Sequence, residues 1–392
     1  MRVTVRTEPD VGERRVAATP DSVRHLTSAG LAVLVQRGAG LLAGYFDADY
    51  ADAGATLTEK IDLATCEVLL HVRPLSLADV RKLPKTAITV GLASPASNLA
   101  VVDELRKRGV TSFALELVPR ISRSQSMDAL TSQALVSGYR CVLEAAIRLP
   151  RFFPLYMTAA GTIPPANVVV LGAGVAGLQA IATAKRLGAK VSAYDVRAAS
   201  ADEVRSMGGT FITLELETAD GAGGYATELA ADRALRQQEL LAPYLAQADV
   251  IITTAAIPGR PAPRLVTKDM LTGMRAGSVI VDLAAESGGN VDGSKPGEDV
   301  AIKLKSGGSI TLVGMKDAPS TMAYDASRLY ARNVSNLIAL MTVDGRVAPN
   351  FDDEVVNGAC LTRDGTVNHA QTREAIEAAA PKAQSGSKNE SK

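Results

Sequence analysis

Residues 167–197 read NVVVLGAGVAGLQAIATAKRLGAKVSAYDVR, and the reading of this run decides the fold. A β-branched stretch, which favours a buried strand, leads into Gly172, Gly174 and Gly177. A helical spacing follows, and a second strand-like run ends at Asp195. Each glycine has a mechanical role. Gly172 allows a tight turn, Gly174 lets backbone approach a pyrophosphate, and Gly177 lets helix and strand touch. The helix N-terminus beginning at Val175 and Ala176 then offers N–H groups to phosphate. A bare G-x-G-x-x-G is weak evidence. Framed by strand, helix and an acid closing the second strand, it predicts a dinucleotide site. The Asp195 carboxylate accepts both adenosine-ribose hydroxyls of NAD and repels a 2′-phosphate, a preference of about 1.5–3 kcal/mol. Val196 and Arg197 continue the same loop, and an arginine there is also suited to a 2′-phosphate.

Working outward, strand-like and amphipathic runs alternate on both sides. RVTVR, AVLVQ, EVLLHV, AITVGL and TSFALEL precede a long helical run near 128–148, and KVSAYD, TFITLEL, DVIITTA and SVIVDLA follow the glycine turn. This pattern predicts an α/β chain of two Rossmann-like, doubly wound parallel-sheet domains separated by a cleft. The helical run DASRLYARNVSNLIALM is expected to return to the first domain. The boundaries read as 1–135 plus 325–380 for a discontinuous first domain, 136–324 for the NAD(H)-binding domain, and 381–392 for a small, polar, disordered tail. The segment AAGTIPPA reads as a break. QRGAGLLAGYFD (36–47) is a glycine-rich decoy, one residue too long at its last spacing, and reads as a turn-rich connection.

Composition narrows the function. The 392 residues carry 42 Lys plus Arg against 42 Asp plus Glu, a balance without the basic footprint of a nucleic-acid binder. The three cysteines and three histidines are scattered, with no metal spacing, and a reducing cytoplasm suits them. No apolar run approaches the roughly 18 residues of a membrane span.

The stretches ERRVAATP (13–20), PRISRSQSMD (119–128), the 167–197 run, GGYA (223–226), IPGRPAP (257–263) and GSVIVDLAAESGGN (277–290), in this order, resemble the NAD(H)-binding component, domain I, of proton-translocating NAD(P) transhydrogenase. The resemblance spans residue 1 to about 370. It implies a component that binds NAD(H) and exchanges hydride directly with NADP(H) held on a separate domain III subunit. A membrane-spanning domain II subunit couples the exchange to proton translocation. It also implies a homodimer that is cytoplasmic and reaches the membrane only through its partners. The chain ends at Lys392 without membrane helices, so the separate-subunit form is expected.

Carried over by position, Arg120 meets the pyrophosphate or ribose, Gln125 the nicotinamide ribose or carboxamide, and Asp128 orients them. Thr131 stands where the family commonly has serine. Tyr225 belongs to a glycine-rich stretch that closes over nucleotide in the family. Thr254, Ala255 and Ala256, the last replacing a usual leucine, wall the site at a strand end. Glu286 and Asn290 line it or brace its loop.

Two other readings compete. Alanine dehydrogenase shares the fold, but its K-x-K-E-P stretch is here HVRPL. The region expected to hold its catalytic histidine, AITVGLASPASNLA, has none, which leaves Arg15 retained and His71 as the residual base. A non-catalytic NADH sensor would bind without turnover. Direct hydride exchange moves no proton at the reacting carbons and needs positioning rather than a base, so a missing histidine favours the transhydrogenase reading.

Overall fold

The computed structural model describes residues 1–215, 226–256 and 261–379, with side chains of 226–231 excluded. Tyr225, the IPGR stretch at 257–260 and the tail from 380 therefore lie outside the described residues. The chain divides into two compact units, Met1–Leu130 with the described residues from Ser327 onward, and Thr131–Ala326. It passes from one to the other inside two helices, Ala129–Arg148 and Ala323–Leu340.

In the second unit, seven strands lie in the order Thr210–Phe211, Lys190–Tyr194, Asn167–Leu171, Val250–Thr253, Val279–Asp282, Ser309–Gly314, Asp299–Lys303. All pairs are parallel except the last. Alternate residues of the same strands enter two separate cores. Val168, Val170, Val250, Ile252, Val279 and Val281 pack with Cys141, Val142 and Ala145 of helix Ala129–Arg148 and with Ala180, Ile181 and Ala184 of helix Val175–Arg186. Val169, Leu171, Ile251 and Ile280 pack with Leu241, Leu245 and Leu271 on the opposite face. Both faces are covered, which is why these strands read as unbroken β-branched runs rather than alternations. The fold is the expected α/β type with Rossmann-like parallel sheets.

The first unit repeats the strand order. Thr56–Thr58, Ala32–Gln36, Arg2–Val5, Val68–Leu70, Ile88–Gly91 and Thr111–Ala114 are parallel neighbours, and two late strands, Cys360–Arg363 and Thr366–Val367, extend the edge antiparallel. From Ser327 the helix Ala323–Leu340 belongs to this unit. The Tyr330 hydroxyl donates to the His71 carbonyl at 2.7 Å, and the Val16 N–H donates to Ser327 Oγ at 3.1 Å.

Each parallel sheet is extended at one edge by antiparallel pairing. Two expectations are corrected. TSFALEL leaves the sheet at Ala114 and winds into a 3₁₀ turn at Leu115–Leu117. AAGTIPPA is not a plain break: Tyr156–Thr158 and Gly161–Ile163 form an exposed two-stranded hairpin, with Gly161 at φ +133° permitting the turn. Among the described residues no helix is long and apolar enough to cross a membrane.

Candidate functional site

In the second unit the strand order reverses between Asn167–Leu171 and Val250–Thr253, and open α/β sheets bind ligands beyond the carboxyl ends of strands at such a point. The glycine turn leaves one strand end there, and Thr254 follows the other. Gly172 sits at φ +102°, a left-handed conformation that L side chains rarely adopt. A Cβ on Gly177 would lie 1.8 Å from the Gly172 carbonyl oxygen, so this contact admits only glycine. A Cβ on Gly174, by contrast, would meet nothing within 4 Å among the described residues, which leave the mouth of the turn open.

Gly174 is the N-cap of helix Val175–Arg186 and has no side chain to cap it. The helix thus presents its first N–H groups and the positive end of its dipole at an open turn, an arrangement that receives a phosphate. Val175 and Val196 are exposed apolar side chains at this mouth, Ala176 is buried, and Ala256 is exposed. A hollow of about 550 Å³, lined by Arg151, Phe152, Tyr156, Arg186 and neighbours, lies at the other end of the same helix. There the dipole disfavours an anion.

Asp195 is bound to the turn itself. Its Oδ2 accepts the Ala173 N–H at 2.7 Å, and its Oδ1 accepts the Arg197 N–H at 2.9 Å. The Arg197 guanidinium adds Nε to Oδ1 at 3.0 Å and Nη2 to Oδ2 at 3.2 Å. Burial pushes the Asp195 carboxyl up, but the Arg197 side chain and the two backbone N–H groups outweigh it and hold it below the usual carboxylate range. Asp195 therefore stands ionised, with both oxygens aligned beside the glycine turn.

Beyond the other strand end, the Thr254 hydroxyl donates to the Gly172 carbonyl at 3.1 Å. Asn290 is fully buried. Its Oδ1 accepts the Ala255 N–H at 3.1 Å, and its Nδ2 donates to the carbonyls of Ala255 and Pro263, both at 2.8 Å. Its amide is occupied in fixing the backbone of 255, so it acts on the loop rather than as an exposed wall. Glu286 is exposed and accepts the Asp317 N–H at 2.9 Å. Thr131 lies in this unit, in the first turn of helix Ala129–Arg148.

Two residues of this framework were not singled out from sequence. Asp282, fully buried, accepts the Thr253 hydroxyl at 3.0 Å, the N–H groups of Ala284 and Asn290 at 3.0 Å, and that of Val291 at 3.3 Å. An unbroken chain of hydrogen bonds thus runs from Asp282 through Asn290 to Ala255. The signal was an aspartate closing the apolar run VIVD. Gly138 is the second: a Cβ there would lie 2.0 Å from the Ala176 carbonyl, so helix Ala129–Arg148 meets the glycine-turn helix backbone to backbone.

Arg120, Gln125 and Asp128 lie in the first unit. Ser122–Met127 is a 3₁₀ segment, and Asp128 has extended backbone (φ −77°, ψ 92°) before the α-helix starts at Ala129. Ser126 is inside this turn, and the extended Asp128 separates it from the helix. The segment is pinned from several sides. The carbonyl of Ser126 accepts Nδ2 of Asn333 at 2.9 Å and of Asn336 at 3.0 Å, and Arg123 forms a forked pair with Asp353 at 2.9 and 2.7 Å. Arg120 and Gln125 remain exposed on it.

His71 is buried in the first unit, with Nδ1 2.7 Å from the Arg73 carbonyl oxygen and its ring against Gly91. Burial lowers its pKa to about 4, so it is neutral at physiological pH. Arg15 is paired with Glu13 through both carboxylate oxygens, at 2.8 and 2.7 Å.

Residues 4–137 match the family described as Alanine dehydrogenase/PNT, N-terminal domain, and residues 141–370 match its C-terminal domain. The chain is 44% identical over 381 residues to an NAD(P) transhydrogenase subunit alpha protein of Rhodospirillum rubrum, covering 94% of this chain and 98% of the relative. It is 33% identical over 301 residues to alanine dehydrogenase of Mycobacterium tuberculosis, 76% of each chain. The crystal structure of transhydrogenase from Sinorhizobium meliloti superposes with a TM-score of 0.82 at 40% identity, covering 95% of this chain and all of that one. The protein belongs to the alanine dehydrogenase/PNT family, among the NAD(P) transhydrogenase alpha subunits.

Proposed function

We propose that this chain is the NAD(H)-binding component of a proton-translocating NAD(P) transhydrogenase. It works as a cytoplasmic homodimer with an NADP(H)-binding subunit and a membrane-spanning, proton-translocating subunit. The observation that carries the reading is the open glycine turn at the switch point, with an uncapped helix N-terminus on one side and an ionised, aligned Asp195 on the other. NAD(H), when bound, supplies hydride exchange at its nicotinamide with NADP(H) on the partner. The chain's own residues bind and position. The helix N-terminus and the Gly174 backbone hold the pyrophosphate, Asp195 takes the adenosine ribose, and Val175, Val196 and Ala256 give apolar walls. Arg120, Gln125, Asp128 and Thr131 orient the nicotinamide end, and Tyr225 closes over it. No side chain in these roles transfers a proton, and the one buried histidine of the first unit is kept neutral by its burial, with its ring nitrogen against the Arg73 carbonyl.

The test is reconstitution. The full chain alone should bind NADH with little turnover, and adding an NADP(H)-binding partner should restore transhydrogenation between nicotinamide analogues. Conversion of alanine and NAD to pyruvate by the purified chain at an ordinary enzyme rate would sink the proposal.

A further inference from the structure

Asp195 carries more donors than an acceptor with a ribose to hold can keep. An ionised carboxylate has about four lone-pair sites. Four donors from the chain already point at it: the N–H groups of Ala173 and Arg197, and Nε and Nη2 of the Arg197 side chain, at 2.7, 2.9, 3.0 and 3.2 Å. The two backbone donors are fixed by the glycine turn and the strand end. The guanidinium is not: the Arg197 side chain is 60% exposed, against 9% for Asp195, and its only further bond is a long one to the Ala173 carbonyl at 3.4 Å among the described residues.

We infer that Arg197 is the residue that sets dinucleotide selectivity, by competing with the adenosine-ribose diol for Asp195. The inference rests on the NAD(H) site proposed above and goes beyond it. A ribose diol must displace the guanidinium fork to donate both of its hydroxyls. The displaced cation then stands beside the 2′-position, where it attracts a 2′-phosphate and offsets the repulsion from Asp195. The pair therefore weakens NADH and strengthens NADPH relative to a site with Asp195 alone. Discrimination is narrower than an acid at the end of the second strand would give by itself.

The experiment is a double-mutant cycle on the full chain, read by fluorescence titration with NADH and with NADPH. The variants are Arg197→Ala, Asp195→Asn and the double substitution, each checked for an unchanged thermal midpoint. Because Arg197 is exposed, its removal leaves the fold intact. Arg197→Ala is expected to tighten NADH about threefold to tenfold and to weaken NADPH, widening the selectivity ratio by more than tenfold. In the Asp195→Asn background the same change should no longer tighten NADH, because no carboxylate is left to release. If Arg197→Ala weakens NADH, or leaves the ratio of the two dissociation constants unchanged, the competition is disproved. Wild-type chain that binds neither dinucleotide would overturn the site assignment itself, a failure distinct from both.

Discussion

The two units place the same strand order around the same reversal and fill it oppositely. In the second unit the first strand ends in a glycine turn, and the following helix starts at Gly174, which has no side chain to cap the leading N–H groups. In the first unit the strand Arg2–Val5 runs into Arg6, Thr7 and Glu8. The carboxylate of Glu8 takes the N–H groups of Val72 and Arg73, at 2.7 and 3.1 Å, just beyond the neighbouring strand. Glu13 pairs there with Arg15 at 2.7 Å and with Arg73 at 2.8 Å. Even the decoy glycine loop follows this rule, since the Gly38 N–H donates to Asp47 at 2.8 Å. One crevice offers its donors to an outside anion, whereas the other satisfies them with carboxylates of its own. The topology marks where a ligand can bind, and the local side chains decide whether one does.

The largest expected effect comes from removing the open turn. Gly177→Ala drives a methyl into the Gly172 carbonyl, so NADH binding should fall at least a hundredfold, with stability reduced by about 3 kcal/mol. Titration and urea unfolding measure both, and retained NADH affinity would show that the turn is not the donor set.

The first unit should instead show its internal ions in its pH dependence. Burial raises Glu8 to about 7 and lowers His71 to about 4. The folded state holds a proton on Glu8 that the unfolded state releases, so this group makes stability fall as pH rises from about 4.5 to 7. The unfolded state holds a proton on His71 that the folded state lacks, so this one makes stability rise between about 4 and 6.5. The two slopes oppose each other and largely cancel. Glu8→Gln should expose the rising slope, gaining up to about 3 kcal/mol relative to wild type between pH 4.5 and 7, and His71→Gln should expose the falling one. Urea unfolding across about pH 4–7.5 reads both, and parallel profiles for all three proteins would contradict the assignment.

Smaller effects sharpen the second site. Asp195→Ala should weaken NADH roughly tenfold, the scale of one charge-assisted hydrogen bond partly offset by the release of Arg197. Asn290→Ala leaves the backbone groups of Ala255 and Pro263 without their partner. It should cost about 1–3 kcal/mol of stability while changing NADH affinity only a few-fold, and an affinity loss as large as that of Asp195→Ala would make Asn290 a direct contact.

Much of the second unit was legible because its signals are local. Strand, turn, helix, strand and acid fall within 31 residues, and each shows in residue type and period. The hairpin at 156–163 was hidden because Gly and Pro mark turns of many kinds, and two short exposed strands carry no apolar alternation. The 3₁₀ turn at Ser122–Met127 was hidden because short polar runs fit helix starts and turns equally, and Asn333 and Asn336, about 200 residues away, hold it.

What the sequence alone determined was the class of fold, the place of the glycine turn and the place of an acid, Asp195, after the second strand, since backbone freedom, strand period and residue spacing are properties of contiguous residues. What only the tertiary structure decided was which polar groups are already satisfied: Asp282 and Asn290 bracing Ala255, Glu8 closing the first crevice, and Arg197 lying across Asp195. A hydrogen-bonding group is available to a ligand only if nothing from the chain has reached it first, and that depends on which segments folding brings together.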